Sequence, residues 1–202
     1  MVAGGHLGKG GRVADMAEQA TRSRAHIERI LLVCGQQDAG KSRLLRSMLG
    51  DHRLGGSIPT SRRVGLRQLS RERCLATRFT SPHEMGETQA DFENKIDRTA
   101  ERVWRWYWRI NYAAAVQPRA VNNMPGIVDV CDGLRRSFMP ERIRVVVLAP
   151  DQYGGSGSDL GSTEVDGLRR LDVEALRLDA RRGRQPAEPG NVRLLADYFD
   201  FS

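Results

Sequence analysis

The stretch Gly35-Gln36-Gln37-Asp38-Ala39-Gly40-Lys41-Ser42 decides the fold of this chain. It follows an apolar run at residues 30–34, which predicts a buried strand, and it precedes a helical pattern at residues 41–49. Glycines allow a backbone to wrap closely around phosphate groups, and the N–H groups at the start of a helix bind anions. The pattern Gly-x-x-x-x-Gly-Lys-Ser/Thr in this strand-to-helix setting therefore predicts a loop that binds the phosphates of a nucleotide.

The predicted nucleotide-binding segment runs from Gly35 to Arg43, the residue that follows the motif. Within it, Lys41 is expected to neutralise the β- and γ-phosphates and to stabilise the charge that moves in phosphoryl transfer. The Ser42 hydroxyl is expected to bind Mg²⁺. An ordinary glycine-rich turn between a strand and a helix is the alternative, but it leaves the pairing of Lys41 with Ser42 unexplained.

The composition limits the kind of protein that this chain can be. A length of 202 residues suits one sizeable core, and the net charge of +7 comes almost wholly from arginine. Because arginine is interspersed with Asp and Glu, we expect a solvated basic surface in preference to a nucleic-acid-binding face, which the charge does not exclude. The cysteines Cys34, Cys74 and Cys131 are scattered, so a structural metal site is not expected. No apolar run is long enough to span a membrane and no signal sequence is recognisable, so a cytoplasmic location is expected.

The chain is predicted to form a flexible glycine-rich extension with a short polar helix over residues 1–27 and one nucleotide-binding domain over residues 28–202. Apolar runs alternate with helical patterns along the domain, which is typical of a sheet with helices on both faces. The predicted strands are residues 30–34, 63–69, 74–79, 111–116, 144–148 and 175–178, and the predicted helices are residues 41–49, 89–110, 125–138, 163–171 and 192–201. The second and third strands suit an antiparallel hairpin, so we predict an α/β fold with a mostly parallel sheet and one antiparallel strand.

This order of elements resembles the Ras-like P-loop GTPase domain over about residues 28–202. The loop, with Asp38 and Ala39 before Gly40-Lys41-Ser42, looks most like those of the Arf-like proteins and the signal recognition particle receptor beta subunit. The resemblance implies a P-loop NTPase fold that binds GTP, or alternatively ATP, with Mg²⁺. It also implies slow hydrolysis by a protein that acts as a switch or an assembly module.

The family also has a threonine before the second strand that reaches Mg²⁺ when the γ-phosphate is present, and Thr60 matches its position. A plain turn threonine is the alternative. The family's Asp-x-x-Gly motif after the third strand is missing, because Phe79 is followed by residues 80–86, Thr-Ser-Pro-His-Glu-Met-Gly. His83 or Glu84 could there hold the metal through water or orient the attacking water, and a solvated loop pair is the alternative.

Of the guanine-binding motif Asn-Lys-x-Asp, only Asp151 is present at the end of the strand at residues 144–148. Its carboxylate could accept both guanine N–H groups, and a turn or N-cap aspartate is the alternative. In the family's Ser-Ala-Lys motif an alanine N–H binds the guanine carbonyl, and Ala180 matches that alanine. The letters Asn-Lys-Ile-Asp at residues 94–97 spell the guanine motif, but they lie in a helical stretch and are predicted to be helix surface.

A group of aromatic and arginine side chains lies at the end of the helix predicted at residues 89–110. Helical spacing predicts that Trp104, Tyr107 and Trp108 pack on the sheet, with Trp106 among the arginines on the outer face. The face of Trp106 and Arg105 is a candidate surface for a protein partner. Ordinary core packing with solvated arginines, or stacking of nucleic-acid bases, are the alternatives.

Two other functions remain open from the sequence. The chain could be an ATP-dependent kinase of a small molecule or nucleotide, with Arg169 and Arg170 beside a glycine-rich loop as a lid. It could instead be a catalytically inactive pseudo-GTPase scaffold, which the missing Asp-x-x-Gly motif supports. A kinase needs an acceptor for turnover, whereas a GTPase transfers the phosphoryl group to water.

Overall fold

The computed structural model describes residues 26–60, 65–181 and 189–199. The predicted extension lies outside the described residues except for its last two positions, which belong to the first strand. The strands are β1 (His26–Cys34), β2 (Gly65–Gln68), β3 (Arg73–Arg78), β4 (Arg109–Val116), β5 (Arg142–Leu148) and β6 (Glu174–Leu178). The helices are α1 (Lys41–Met48), α2 (Gln89–Val103), α3 (Ile127–Phe138), α4 (Ser162–Arg170) and α5 (Pro189–Phe199), with a short 3₁₀ helix at His52–Leu54.

The six strands form one sheet in the order β2-β3-β4-β1-β5-β6. β2 and β3 pair antiparallel, and the other neighbouring strands pair parallel. The prediction of an α/β fold with a mostly parallel sheet and one antiparallel hairpin is therefore confirmed. The strand order does not follow from the sequence pattern. Because β4 lies between β1 and β3, the loops that follow β1 and β3 start at the same edge of the sheet, two strands apart.

Helices cover both faces of the sheet, and β1 shows why its sequence is apolar throughout. Ile30 and Leu32 belong to the core cluster that includes residues of α2, α3 and α4. Leu31 and Val33 belong to the cluster that includes residues of α1 and α5. A strand buried on both faces needs a continuous apolar run instead of alternation, and this run identified the strand in the sequence.

The helix predicted at residues 89–110 ends seven residues earlier than predicted. A capping box between Thr88 and Asp91 starts α2, which ends at Val103, and β4 begins at Arg109. In β4, Ile110 is buried where the strand pairs with both β1 and β3. Aromatic and β-branched residues favour strands, so pairing on both sides outweighs the helical spacing that continues past Val103.

The early end of α2 leaves the tryptophans on the surface. The exposed fractions of Trp104, Trp106 and Trp108 are 52%, 68% and 60%, so the prediction that Trp104 and Trp108 pack on the sheet is wrong. Tyr107 packs partly buried against the core, as predicted. Helical spacing does not set the direction of these side chains, because they lie between α2 and β4. In the described part of the chain, no helix has the length and apolar character needed to cross a membrane.

Candidate functional site

The loop between β1 and α1 is tied to the surrounding loops by backbone hydrogen bonds. The Gly35 N–H donates to the Val116 carbonyl at the end of β4 over 3.1 Å. The Gln36 N–H donates to Ser158 Oγ over 2.9 Å, and Ser158 is fully buried. The side-chain amide of Gln152 donates to the Asp38 carbonyl. The loop is therefore held by residues that follow β4 and β5, the two neighbours of β1 in the sheet.

Two glycines of the loop are required by its shape. Gly40 is the N-cap of α1 and has φ = +100°, a conformation that side chains with a Cβ rarely adopt. A Cβ at Gly35 would lie 2.9 Å from the Ala39 Cβ, which is too close. Both glycines of the motif thus serve the tight turn that the sequence predicts.

The start of α1 offers unused hydrogen-bond donors. Leu44 N–H donates to the Gly40 carbonyl over 3.0 Å and is the first backbone donor of the helix with an intrahelical partner. Within the described residues, the N–H groups of Gly40, Lys41 and Ser42 have no hydrogen-bond acceptor. Free N–H groups at a helix start, together with the helix dipole, form a binding site for an anion.

Lys41 is buried at this loop, with an exposed fraction of only 3%. Its Nζ lies 3.1 Å from Glu84 Oε1 and donates a hydrogen bond to the Gln36 carbonyl over 2.6 Å. A buried charge needs a partner to offset the loss of water, and the Glu84 carboxylate provides the opposite charge. The structure therefore brings together Lys41 and Glu84, two residues that the sequence marks separately as candidate catalytic groups and that lie 43 positions apart.

The Ser42 hydroxyl donates to the carbonyl of Phe79, the first residue after β3. Ser42 and Glu84 both line a cleft of about 470 Å³ in front of the loop. Hydroxyl and carboxylate oxygens are the ligands that Mg²⁺ accepts alongside phosphate oxygens and water, so these two residues fit the predicted ion. The cleft is lined by Asp38, Gly40, Lys41, Ser42, Arg43, Arg46, Phe79, Thr80, Glu84 and Gln152.

His83, unlike its neighbour Glu84, is fully buried and does not line the cleft. Its Nε2–H donates to the Pro125 carbonyl over 2.9 Å, and its Nδ1 accepts from the Gln117 N–H over 3.3 Å. Burial lowers the pKa of His83 and outweighs the hydrogen bond to the Pro125 carbonyl, which raises it. The charges of Lys41, which lowers the pKa, and of Glu84, which raises it, act more weakly. A neutral imidazole with both nitrogens bonded joins two loops, so the structure does not place His83 where it could orient a water in the cleft.

The loop that carries Glu84 is anchored by a buried ion pair. Arg78 donates two hydrogen bonds to the Glu87 carboxylate, over 2.9 and 2.6 Å, and both side chains are less than one tenth exposed. Lys95, on α2, adds a contact of 2.7 Å to the same carboxylate. Burial alone raises the pKa of Glu87, but the hydrogen bonds from Arg78 and Lys95 outweigh it and hold the pKa below its usual value. The segment 79–88 is thus fixed at both ends.

The two predicted base-binding residues have hydrogen-bond partners in the protein, Asp151 within its own loop and Ala180 on neighbouring segments. Asp151 Oδ1 accepts from the N–H groups of Tyr153 and Gly155 over 2.8 and 2.9 Å, which are the bonds of a turn aspartate. The Ala180 N–H donates to the Pro150 carbonyl over 2.9 Å, and its carbonyl accepts from Arg43 over 3.1 Å. Asp151 and Ala180 lie at neighbouring strand ends, as predicted, and neither lines the cleft.

Thr60 is exposed and does not line the cleft, and the residues directly after it, 61–64, lie outside the described residues. The sequence Asn-Lys-Ile-Asp at residues 94–97, which matches the guanine-binding motif, lies within helix α2, as predicted. Across the described ranges, no cluster of three or more His, Cys, Asp or Glu side chains could hold a metal ion.

Sequence reasoning missed five residues of the site, Arg46, Phe79, Thr80, Gln152 and Ser158. Arg46 lies four positions after Ser42 on α1 and therefore on the same helix face, a spacing that could have identified it. Thr80 and Gln152 line the cleft from loops after β3 and β5, and Ser158 binds the phosphate loop from 122 positions away. No local pattern marks these last three, because their place depends on the strand order.

No protein-family model, curated protein or solved structure matches this chain.

Proposed function

We propose that this chain is a P-loop nucleotide-binding protein that binds a Mg²⁺–nucleoside triphosphate in the cleft and hydrolyses it slowly. The observation that carries the proposal is the convergence of three features on one cleft. These are the unbonded N–H groups at the start of α1, the buried Lys41 and the carboxylate of Glu84. The N–H groups and Lys41 are suited to bind the phosphate chain, and the Glu84 carboxylate is suited to contact the metal or the attacking water.

Lys41 changes partner when the triphosphate binds. In the structure its Nζ contacts Glu84 Oε1 and the Gln36 carbonyl. Phosphate oxygens at the N–H groups of Gly40 and Ser42 offer Lys41 a stronger negative partner. The Glu84 carboxylate is then released into the cleft next to the terminal phosphate.

Glu84 is the proposed general base. It accepts a proton from a water molecule while the water oxygen bonds to the γ-phosphorus and the bond from that phosphorus to the β–γ bridging oxygen breaks. The products are the nucleoside diphosphate and inorganic phosphate. Ser42 would hold Mg²⁺ directly, with Glu84 contacting the ion only through water, and the ion would neutralise the charge on the β- and γ-phosphates.

The proposal does not specify whether the nucleotide carries guanine or adenine. A guanine preference stays a prediction that rests on the resemblance, because Asp151 Oδ1 accepts hydrogen bonds within its own loop and the Ala180 N–H donates to the Pro150 carbonyl. The kinase alternative needs an acceptor site. In the structure Arg169, one of its two proposed lid residues, pairs with Asp166 on its own helix α4 and does not line the cleft.

The test is calorimetric titration with GTP, GDP, ATP and ADP, with and without Mg²⁺, on the wild type and Lys41→Met. Phosphate release is measured in parallel without any acceptor. We expect Mg²⁺-dependent binding that falls at least ten-fold in Lys41→Met, and slow release of phosphate. Binding without phosphate release supports the scaffold, release only with an acceptor supports the kinase, and no nucleotide binding contradicts the proposal. Arg98→Met, on the exposed face of α2, is the control variant.

A second proposed function is binding of an acidic protein segment by the tryptophan patch, defined as Trp104, Trp106 and Trp108 with Arg105. All three tryptophans are more than half exposed, and Arg105 has no ion-pair or hydrogen-bond partner in the described part of the chain. Exposed tryptophans beside arginine are the side chains that anchor interfaces, and the positive charge favours an acidic partner.

The tryptophan patch is tested by fluorescence titration with acidic peptides that carry leucine or phenylalanine anchors, and with an oligothymidylate. We expect the peptides to shift the tryptophan emission of the wild type, and the shift to be lost in Arg105→Glu. Preferential binding of the oligothymidylate would instead identify a nucleic-acid site, and binding of neither probe contradicts both uses of the patch.

A further inference from the structure

Arg46 lines the cleft, and its guanidinium has no carboxylate partner among the described residues. It lines the cleft from the second turn of α1. Its guanidinium lies over the Phe79 ring, with 5.3 Å between Cζ and the ring centroid. Its Nε is buried without a hydrogen-bond partner, and no carboxylate within the described residues forms an ion pair with it.

Several other arginines of the described chain have carboxylate partners. Arg53 contacts both Asp51 and Asp197, Arg78 contacts Glu87, and Arg144 contacts Glu174. Leaving a half-buried guanidinium without an acceptor costs free energy, and contact with an aromatic ring offsets only part of it. An unpaired arginine held in a fixed place beside an anion-binding loop is therefore suited to a ligand anion.

The position of Arg46 within the cleft indicates which anion. Arg46 and Ser42 lie on the same face of α1, and both contact Phe79, one at its ring and the other at its carbonyl. The segment that starts after Phe79 carries Glu84, which contacts Lys41. Arg46 thus lies beside Phe79, where the segment that carries Glu84 begins, whereas Arg43 donates to the Ala180 carbonyl after β6.

We propose that Arg46 binds the terminal phosphate of the nucleoside triphosphate and so makes the site distinguish a triphosphate from a diphosphate. This inference rests on the proposed function, because it places the γ-phosphate beside Glu84. The guanidinium presents two parallel donors, which match two phosphate oxygens. Contact with the Phe79 ring fixes the orientation of these two donors of the guanidinium. A diphosphate ends one group earlier and does not reach Arg46.

The experiment measures the dissociation constants of the Mg²⁺ complexes of two pairs of nucleotides, AMP-PNP with ADP and GMP-PNP with GDP. The proteins are the wild type, Arg46→Met, Arg46→Lys and the control Arg98→Met. Methionine keeps an apolar side chain over Phe79, and lysine keeps the positive charge but lacks the two parallel N–H donors of the guanidinium. Thermal unfolding of each variant shows whether it is folded, and Arg46→Gln replaces Arg46→Met if that variant is not.

We expect Arg46→Met to lower the affinity for the triphosphate analogue at least ten-fold, since one charged hydrogen-bonding group is lost. The affinity for the diphosphate should change less than two-fold. Arg46→Lys should recover part of the loss, and Arg98→Met should match the wild type. Equal losses for both nucleotides, or no loss for either, overturn the role of Arg46 and leave the proposed function standing. A wild type that binds none of the four nucleotides overturns the proposed function itself.

Discussion

Lys41 Nζ and Glu84 Oε1 lie 3.1 Å apart, and this contact joins the loop after β1 to the loop after β3. Lys41 is buried and Glu84 is partly exposed at the cleft. The Glu84 carboxylate therefore contacts Lys41 where a phosphate oxygen would contact it in the proposed complex. Binding of a ligand at this site must exchange one negative partner of Lys41 for another, which links occupation of the cleft to the position of Glu84.

Glu84→Gln is expected to separate binding from turnover. The amide cannot take a proton from water, so phosphate release should fall by about 100-fold or more, while triphosphate affinity is kept or increased. The empty protein should lose about 1–3 kcal/mol of stability, because the buried Lys41 loses its counter-ion. Calorimetry, phosphate release and urea unfolding measure these effects. Glu101→Gln, on the exposed face of α2, is the control, and an equal loss of binding and turnover in Glu84→Gln would contradict the role of a base.

Gly40→Ala is expected to damage the phosphate loop. Gly40 has φ = +100°, and a Cβ there would lie 3.4 Å from the Gln152 Cβ. The left-handed conformation costs a residue with a Cβ about 1–2 kcal/mol, so stability should fall and nucleotide affinity should fall with it. Gly56→Ala is the matched control, because Gly56 also has positive φ, at +64°, but lies outside the cleft. Unchanged nucleotide affinity in Gly40→Ala would show that the loop tolerates a different shape.

Glu87→Ala is expected to destabilise the protein strongly, by about 3–5 kcal/mol, because it leaves the buried Arg78 without its partner. Lys95→Met removes the partner that is half exposed and should cost less than about 1 kcal/mol. The double variant Arg78→Met/Glu87→Met should recover much of the loss, since no uncompensated charge remains. Urea unfolding measures all three. A small effect of Glu87→Ala would mean that the segment 79–88 does not depend on this ion pair.

The stability of the protein is expected to depend on the protonation of His83. Burial lowers the pKa of His83 below 6.5, so the folded state prefers the neutral ring. The stability that this preference contributes is present above pH 6.5 and is lost as the pH falls through the pKa of the folded state. Urea unfolding between pH 5 and pH 8 should show this loss in the wild type and a flatter profile in His83→Gln. The same slope in both proteins would assign the pH dependence to other groups.

Much of the fold could be predicted because its signals are local. The apolar run of β1, the motif at residues 35–42 and the spacing of α1 lie within twenty residues, and the structure contains all three elements. The failure at residues 104–108 has the opposite cause, because a non-local contact overrode a local signal. Helical periodicity continued past Val103, but strand pairing of β4 on both sides decided where the helix ends.

The sequence by itself determined the shape of the loop at residues 35–42, because a strand, two glycines and a helix start within one short stretch leave the backbone little choice. Only the tertiary structure decided which distant side chains meet that loop. Glu84 reaches Lys41 and His83 does not, although the two are neighbours in the chain, and Ser158 and Gln152 hold the loop from beyond β5. These contacts depend on the strand order, with β4 and β5 on either side of β1. Strand order is set by the burial of whole faces of the sheet, which no local pattern of residues records.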